Sequence, residues 1–483
     1  SASLKLSRSP MPRSLILAAL LGVTLLAPTP ADAQGIGPDV IVSEIGTITR
    51  YGTLLGMTSY SFSTTSCNIG DVEAQWIDTT NQHPVIASNM FRLRNGRFEQ
   101  IAIGWLKHGF CALSQPDCGT CNPTPCSTLG VGCADTYGST LNGDQTGLGP
   151  RYEINASTGE FPYPFDTIGL SGPVLYKRLQ VAQSDLSPAL NPGSTFYYEC
   201  QYIHPEEPAF GTQYNNVSYR RFSVGLLQPE GYAIAPVGDT IQQAPAIAAW
   251  QAADPEVALD DILIDDDGML ILGSRATDLG GGQWHYEYAL YNMNSHRSAG
   301  SFSVSLPAGA TVSNVGFHDI NYHSGEPFSP VDWTATVSGS EVRWETESFA
   351  TNENANALRW GTLYNFRFDC DVEPDLSNVN VGLFRPGTAA DPSLTVVGPG
   401  QAPCSTPDFV RGDANGDFTL DISDVVYSLA FQFQAGPPMV PTEESGDANA
   451  DLVIDISDPV YVLAFLFTGG SPPPFPFPNP GCL

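Results

Sequence analysis

The chain has 483 residues, 42% of them hydrophobic and 15% charged, with 20 basic against 51 acidic side chains and a net charge of −31. That size and composition exclude a single small domain and general disorder. So negative a field argues against nucleic acid and anionic membranes as partners and favours cations.

The first element is a leader. From Met11, "MPRSLILAALLGVTLLAPTPADA" carries an arginine, an apolar run from Leu15 to Ala27 and a small-x-small site at Ala31-Asp32-Ala33, the grammar of a secretory signal peptide. Ser1 to Pro10 read as sequence upstream of the start codon, and the mature chain is expected to begin at Gln34. Residues 1–33 contain Lys5, Arg8, Arg13 and Asp32, so their removal leaves 17 basic and 50 acidic residues, near −33. The leader is too short to span a bilayer, and no later stretch reaches the roughly 18 apolar residues a membrane helix needs. A secreted, extracellular or cell-surface protein without a transmembrane segment is expected.

From Ile41 to about Ile234, short runs of alternating apolar and polar residues are broken by Gly, Asn, Pro and Ser, the pattern of β-strands. Asn95-Gly96, between "FRLR" and "RFEQIAIGW", suits a two-residue hairpin turn whose central positions need positive φ. Ten cysteines in an exported chain fit disulfides. Four of them, Cys118, Cys121, Cys126 and Cys133, crowd into one Gly/Pro/Thr-rich loop. Such crowding suits a zinc knuckle in the cytosol and a disulfide-pinned loop outside the cell, and the second is the expectation here. Ala235 to Asp261 reads as a short helix or connector, with a domain boundary near residue 250.

Beyond it, Tyr286, Tyr288 and Leu290, then Phe302, Val304 and Leu306, then Tyr364, Phe366 and Phe368 each alternate with small or polar residues, which predicts an antiparallel β-sandwich. The expected fold class is therefore mainly β. A β-rich N-terminal domain spans 34–250 and a sandwich 251–395. A Pro/Gly-rich linker over 396–410 leads to a small α-helical module at 411–483. Cys404 and Cys482 bracket that module; a bridge between them would tie it off, but pairing is not readable from sequence.

The module is a written repeat. "GDANGDFTLDISD" from Gly412 to Asp424 recurs as "GDANADLVIDISD" from Gly446 to Asp458, an offset of 34 residues. Each copy fits the twelve-residue calcium loop, with ligands at positions 1, 3, 5, 7, 9 and 12. These are Asp413, Asn415, Asp417, the carbonyl of Thr419, Asp421 and Asp424 in one copy. In the other they are Asp447, Asn449, Asp451, the carbonyl of Val453, Asp455 and Asp458. Two Ca2+ sites are expected, each metal being part of the fold. A helical run stopped by Gly and Pro follows each loop. Ile422, Val425, Val426, Leu429 and Phe433 share one face, as do Ile456, Val460, Leu463 and Phe467, and the two helices are expected to bury these faces against each other.

This duplicated loop-and-helix pattern resembles the dockerin family, over about residues 411 to 482. The resemblance implies an EF-hand-type pair of calcium loops and calcium-dependent docking onto a cohesin-like receptor on a scaffold or cell surface, often for carbohydrate-degrading enzymes. The chain departs from the pattern at loop position 6, where glycine is usual: it has Phe418 and Leu452 there. Position 10, small and polar in many receptor-binding members, is Ile422 and Ile456.

Chemistry upstream of the module is thinly signalled. His83, His108 and His204, with Glu206, are candidates for a general base or a transition-metal site if folding converges them. His318, Asp319, His323 and Glu326 form a second candidate metal cluster. Asp260, Asp261, Asp265, Asp266 and Asp267 form either a turn or a further calcium site. No GxSxG, HExxH or phosphate-binding glycine loop is present. The sequence thus supports a secreted β-rich binding, adhesion or matrix protein, with a polysaccharide among its possible ligands. The alternative is an extracellular polysaccharide-active or metal-dependent enzyme with its site in residues 34–250.

Overall fold

The computed structural model describes residues 36–400, 409–451, 453–474 and 477. The expected leader and the Cys404 and Cys482 pair lie outside these residues. Among the described residues no helix is long and apolar enough to cross a membrane.

The chain first forms β1 (Val40–Leu54), β2 (Met57–Asn68), β3 (Ala74–Gln75), β4 (Val85–Arg94), β5 (Arg97–Ile103), β6 (Leu106–His108), β7 (Thr128–Leu129), β8 (Ala134–Tyr137), β9 (Leu148–Gly149), β10 (Leu179–Ala182), β11 (Thr195–Ile203), β12 (Val217–Gln228) and β13 (Gly231–Ile241). Eleven of these make one antiparallel sheet, in the order β1-β2-β10-β5-β4-β11-β12-β13 with β6, β8 and β9 attached at its side, while β3 pairs with β7 alone. Asn95 and Gly96, at φ of 50° and 77°, join β4 to β5 as their sequence predicts. The two sheet edges curl towards each other and are stitched by side chains. Thr240 Oγ1 accepts from Ile45 N at 3.0 Å, Arg50 Nη1 donates to Gly231 O at 2.9 Å, and Arg220 Nη1 donates to Ile45 O at 2.8 Å. Edges that bond each other are not left as templates for another chain.

Short helices α1 (Ser139–Asn142), α2 (Gln183–Leu186) and α3 (Ala248–Ala253) interrupt and end this part. Ten further strands follow: β14 (Ala258–Leu263), β15 (Met269–Gly280), β16 (Gln283–Asn292), β17 (Ala299–Ser305), β18 (Val312–His318), β19 (Thr334–Val337), β20 (Glu341–Glu345), β21 (Leu363–Cys370), β22 (Pro374–Leu383) and β23 (Ser393–Pro399). They form two five-stranded antiparallel sheets, β14-β15-β16-β21-β18 and β19-β20-β17-β22-β23. Tyr286, Tyr288, Leu290, Phe366 and Phe368 pack against Phe302, Val304, Trp344, Val379 and Val381 between them, as the alternation predicts. Val396 to Pro399, expected as linker, belong to β23, and 401–408 lie outside the described residues.

The opposite face of β16 is buried as well. Ala289 and Tyr291, with Ile271 and Leu363, join Phe91, Phe98, Tyr197 and Tyr219 of the first sheet in one core that also holds Ile247 and fully buried Trp250. The sheet containing β16 is therefore a middle layer covered on both sides. The stretch around residue 250 is part of the joint between the two β regions. Polar bonds line this joint: Asn365 Nδ2 donates to Phe98 O at 2.9 Å, Gln100 Oε1 accepts from Leu363 N at 2.8 Å, and Tyr291 Oη donates to Glu199 Oε1 at 3.0 Å.

Three disulfides secure the long loop of the first part: Cys67–Cys118, Cys111–Cys126 and Cys121–Cys133. All four cysteines of the crowded loop are thus used, two of them with partners outside it. Cys200 and Cys370 are buried free thiols.

The last described elements are α4 (Ile422–Gln434) and α5 (Ser457–Thr468). Their packing differs from the expected faces. The contact is made by Val425, Ala448 and Val462, with Leu420, Leu429, Tyr461, Leu463 and Leu466 around them. Ile422, Val426, Phe433, Ile456, Val460 and Phe467 instead lie outward, each between 51% and 66% exposed. Each helix carries more apolar surface than one neighbour can cover, so three residues of each expected stripe stay in solvent. The repeat governs the backbone too. Gly436 N donates to Ala430 O at 2.9 Å and Gly470 N to Ala464 O at 3.0 Å, closing both helices with the same bond 34 residues apart.

Because the joint is one core, Trp250→Ala is expected to cost about 3–5 kcal/mol and to lower the melting of both β regions together in a single calorimetric transition. Separate transitions, with only one displaced, would show that the core does not couple them.

Candidate functional site: two acidic loops

Each loop folds its carboxylates inward. In the first, Asp413 Oδ1 accepts from Gly416 N at 2.8 Å and Asp417 N at 3.2 Å, and its Oδ2 accepts from Phe418 N at 2.8 Å. Asp417 Oδ1 accepts from Thr419 N at 2.8 Å. Asp424 closes the loop, accepting from Asp421 N at 2.9 Å and Asn415 N at 3.3 Å. Asp421 caps α4 by accepting from Ser423 N at 2.7 Å, so Asp421 and Asp424 form a reciprocal capping box. The turn places Gly416 at φ 73° and Phe418 at φ 62°. Phe418 is thus a bulky residue in the left-handed region at loop position 6, where glycine would be unstrained.

The second loop repeats the arrangement. Asp447 Oδ1 accepts from Asp451 N at 3.1 Å, Asp451 Oδ1 from Val453 N at 2.9 Å, and Asp458 from Ala448 N and Asp455 N, both at 2.9 Å. Ala450, the counterpart of Gly416, is at φ 60°. Leu452 lies outside the described residues. Arg411 Nη1 lies 3.3 Å from Asp447 Oδ2, a pairing with no counterpart in the repeat itself.

The loops bring buried carboxylates together. Asp413 and Asp424 are each 1% exposed. Burial, with the Asp413 charge adding to it, pushes the Asp424 carboxyl up to about 7. Burial likewise raises Asp458, with Asp447 adding to it. Among the described residues no three His, Cys, Asp or Glu side chains converge as a metal cluster. The donor set is nonetheless all oxygen, drawn from carboxylates, amides and carbonyls, which is the chemistry a hard cation takes.

The upstream candidates are placed differently. His83 and His108 do come together, with Nε2 to Nδ1 at 3.0 Å. His83 Nδ1 lies 3.0 Å from Ile77 O, so it donates there, and Nε2 accepts the proton of His108 Nδ1. His108 Nε2 is then a buried acceptor without a partner, its ring stacked 3.6 Å from Phe165. His204 sits apart, donating from Nε2 to Gln75 O at 2.9 Å, with Glu206 Oε2 accepting from Gln75 N at 2.9 Å. Burial lowers all three histidines, His204 to about 4. Phe110, Phe161 and Trp76 wall the rings in, and each of the three histidines is at most 1% exposed; only His83 and His108 bond to each other.

The second cluster disperses across the joint. His318 Nε2 donates to Gln100 O at 3.1 Å and His323 Nε2 to Ile103 O at 2.8 Å, while Glu326 accepts from Arg151 N at 2.5 Å and Asp319 accepts from Asn356. Three of the four side chains therefore clamp the sandwich to the first part. Asp260 and Asp261 lie in β14 and Asp265 and Asp266 in an exposed turn. Asp267 accepts from Ser295 Oγ at 2.5 Å and His296 N at 3.0 Å, fixing that turn to the next connection.

A site not singled out in the sequence is His285. Its Nδ1 lies 2.6 Å from Asp369 Oδ1 and its Nε2 3.2 Å from Glu287 Oε2. Only the imidazolium can donate at both nitrogens, and Glu287 with Asp369 holds the ring above its usual pKa. Its two-residue spacing from Glu287 on one strand face was readable; Asp369 was not. A raised histidine stabilises the fold fully below its unfolded pKa of about 6.5 and loses that contribution as pH rises through the folded value. The stability difference between wild type and His285→Gln is therefore expected to be largest near pH 5–6 and to shrink above about pH 7. Urea titrations of both proteins across this range measure it, and a difference that is flat with pH would contradict the pairing.

No family model matches the chain, and no curated protein matches it. Among solved structures it is similar to a serine-rich repeat adhesion glycoprotein from Streptococcus agalactiae, at 9% identity over 73% of this chain and 97% of that one, with a TM-score of 0.18. It is also similar to the B domain of a biofilm associated protein, at 7% identity over 75% of this chain and 86% of that one, with a TM-score of 0.12. Scores this low assign neither topology nor activity.

Proposed function

We propose that this is an extracellular β-rich binding or adhesion protein whose C-terminal loops take up two calcium ions and present a dockerin-like surface to a cohesin-like receptor. The observation that carries the reading is the duplicated inward-facing carboxylate pair, Asp413 with Asp424 and Asp447 with Asp458, each set in an oxygen-rich loop. Calcium would neutralise this repulsion, held by the side chains of Asp413, Asn415, Asp417, Asp421 and Asp424 and the Thr419 carbonyl, and by their counterparts in the second loop.

The outward residues support docking. Ile422 and Ile456, Val426 and Val460, and Phe433 and Phe467 are three exposed pairs, each offset by 34 residues. An apolar surface written twice and left in solvent is the kind of patch that marks an interface.

Chelator, or Asp413→Ala combined with Asp447→Ala, is expected to melt the C-terminal helices while the β regions stay folded. Calcium at a hundredfold excess over its Kd should stabilise a site by about 2.7 kcal/mol. Calorimetry of the full chain with and without chelator reads both, and identical traces would defeat the calcium assignment.

Val426→Ser with Val460→Ser alters exposed positions and should change stability by less than about 0.5 kcal/mol each. Calcium uptake should persist while capture by an immobilised cohesin-type receptor weakens at least about tenfold. Unchanged capture would remove this face from the interface, and absence of capture by the wild type would remove the receptor.

A further inference from the structure

Where the loop carrying Arg151 meets the sandwich, a small pocket is lined by Arg151, His296, Tyr322, Arg359, Trp360 and Arg385, with a few apolar neighbours. Three guanidinium groups converge there in a chain with only 20 basic residues against 51 acidic ones. Among the described residues none of the three forms an ion pair with a carboxylate within 4.0 Å, although other arginines of this acidic chain do so. Arg151 and Arg359 are 2% and 4% exposed. Arg359 is held flat on Phe328 with its guanidinium 3.7 Å from the ring centre, and Arg151 lies 5.3 Å from Trp360.

Their donors are incompletely used. Arg151 spends Nε on Gly104 O and Nη2 on Ser88 O and Asn89 Oδ1, and Arg359 spends Nη2 on Glu353 O and Ala355 O. Among the described residues Arg151 Nη1, Arg359 Nε and Nη1 and Arg385 Nε are buried without a partner, and the buried Tyr322 hydroxyl beside them has only Thr362 in reach. A buried cation without a counter-charge is costly, and buried donors without acceptors add to the cost. Glu326 is the nearest compensating carboxylate, and both its oxygens are engaged by the backbone N–H groups of Arg151 and Tyr152. Glu353 and Asp267 act on Arg385 only from outside the pairing distance.

Size narrows the choice of ligand. The free space is only about 10 Å³, near the lower limit for an ordered water. Chloride, somewhat larger than water, enters with a small outward shift of the half-exposed Arg385, whereas sulfate, phosphate or a sugar acid would need far more room. We propose that this pocket binds chloride, held by Arg359, Arg385 and the Tyr322 hydroxyl with Arg151 behind them, and that the ion staples the sandwich to the first β region. The site is independent of the calcium loops and of any receptor they bind.

The test uses the full chain in sodium chloride against sodium gluconate at equal ionic strength and saturating calcium. Chloride is expected to raise the melting temperature in a saturable way, and crystals soaked in bromide are expected to show an anomalous peak between Arg359 and Arg385. Arg385→Gln removes one charge at the pocket's half-exposed side. It should leave the melting temperature in gluconate within a degree or so of wild type and weaken chloride's effect about tenfold. The absence of a chloride-specific shift at about 0.5 M, or bromide peaks only elsewhere, would overturn the proposal. So would an undiminished chloride effect in Arg385→Gln, or formate stabilising where chloride does not. If Arg385→Gln fails to fold, Tyr322→Phe removes a single hydroxyl donor; it should weaken the chloride effect, and an unaltered one would overturn the assignment.

Discussion

A charge or hydrogen-bonding group taken out of water must find a partner within the protein, and this requirement orders the molecule. At the joint between the first sheet and the middle sheet much of it is met by direct bonds, although the Trp250 indole N–H is buried without one. Gln100 serves the backbone of Leu363, Asn365 serves the backbone of Phe98, and the buried Glu199 carboxylate collects Asn89, the Ala246 N–H and Tyr291. Each of these crosses or borders the joint, so each specifies how the layers sit as well as holding them. In the arginine pocket the requirement is only partly met by the chain's own atoms, and in the acidic loops it is met by backbone N–H groups at the expense of gathering like charges. At both, a bound ion has a physical reason to be.

The two kinds of site differ in how much core stands behind them. The arginine pocket lies against layers filled by residues such as Tyr291, Trp250 and Trp360, so an anion there adds to a structure already held by burial. Among the described residues the two C-terminal helices meet through a small cluster centred on Val425 and Val462 with Ala448 of the second loop. So small a core contributes little against the chain entropy of ordering two loops and two helices. On the calcium reading, cation binding would be a substantial part of folding there.

The sequence shows local order well and long-range closure poorly, for physical reasons. Alternation at Tyr286, Tyr288 and Leu290 discloses a strand with one apolar face, but Ala289 and Tyr291 on its other face are buried too, and only the partner sheet reveals that. The Asn95-Gly96 turn and the 34-residue repeat are contained within a few residues, so they are legible outright. Cys67 and Cys111 pair into the crowded loop from outside it, which spacing does not disclose. His318, His323 and Glu326 look like ligands because they are close in sequence, yet their partners Gln100, Ile103 and Arg151 are some 175 to 220 residues away. The helix faces fail for a different reason. A period of 3.6 identifies an apolar stripe but not which part of a broad stripe meets its neighbour.

On the docking reading, the outward stripe acquires a further meaning from where it begins. Ile422 is the first residue of α4, immediately after the cap Asp421, and the following Asp424 is both the closing ligand position of the loop and the third residue of the helix. In the second copy Ile456 immediately precedes α5 and Asp458 is the second residue of that helix. The carboxylate that would hold calcium and the apolar side chain that would meet a receptor therefore lie within one helical turn. Ordering the loop fixes the direction in which that side chain points. By linkage, a receptor that binds only the ordered loop must tighten calcium by the same factor by which calcium tightens the receptor. Phe418 bears on this coupling. A bulky residue held at φ 62° makes the ordered loop harder to keep without a ligand, which favours a surface assembled where calcium is plentiful and released where it is not.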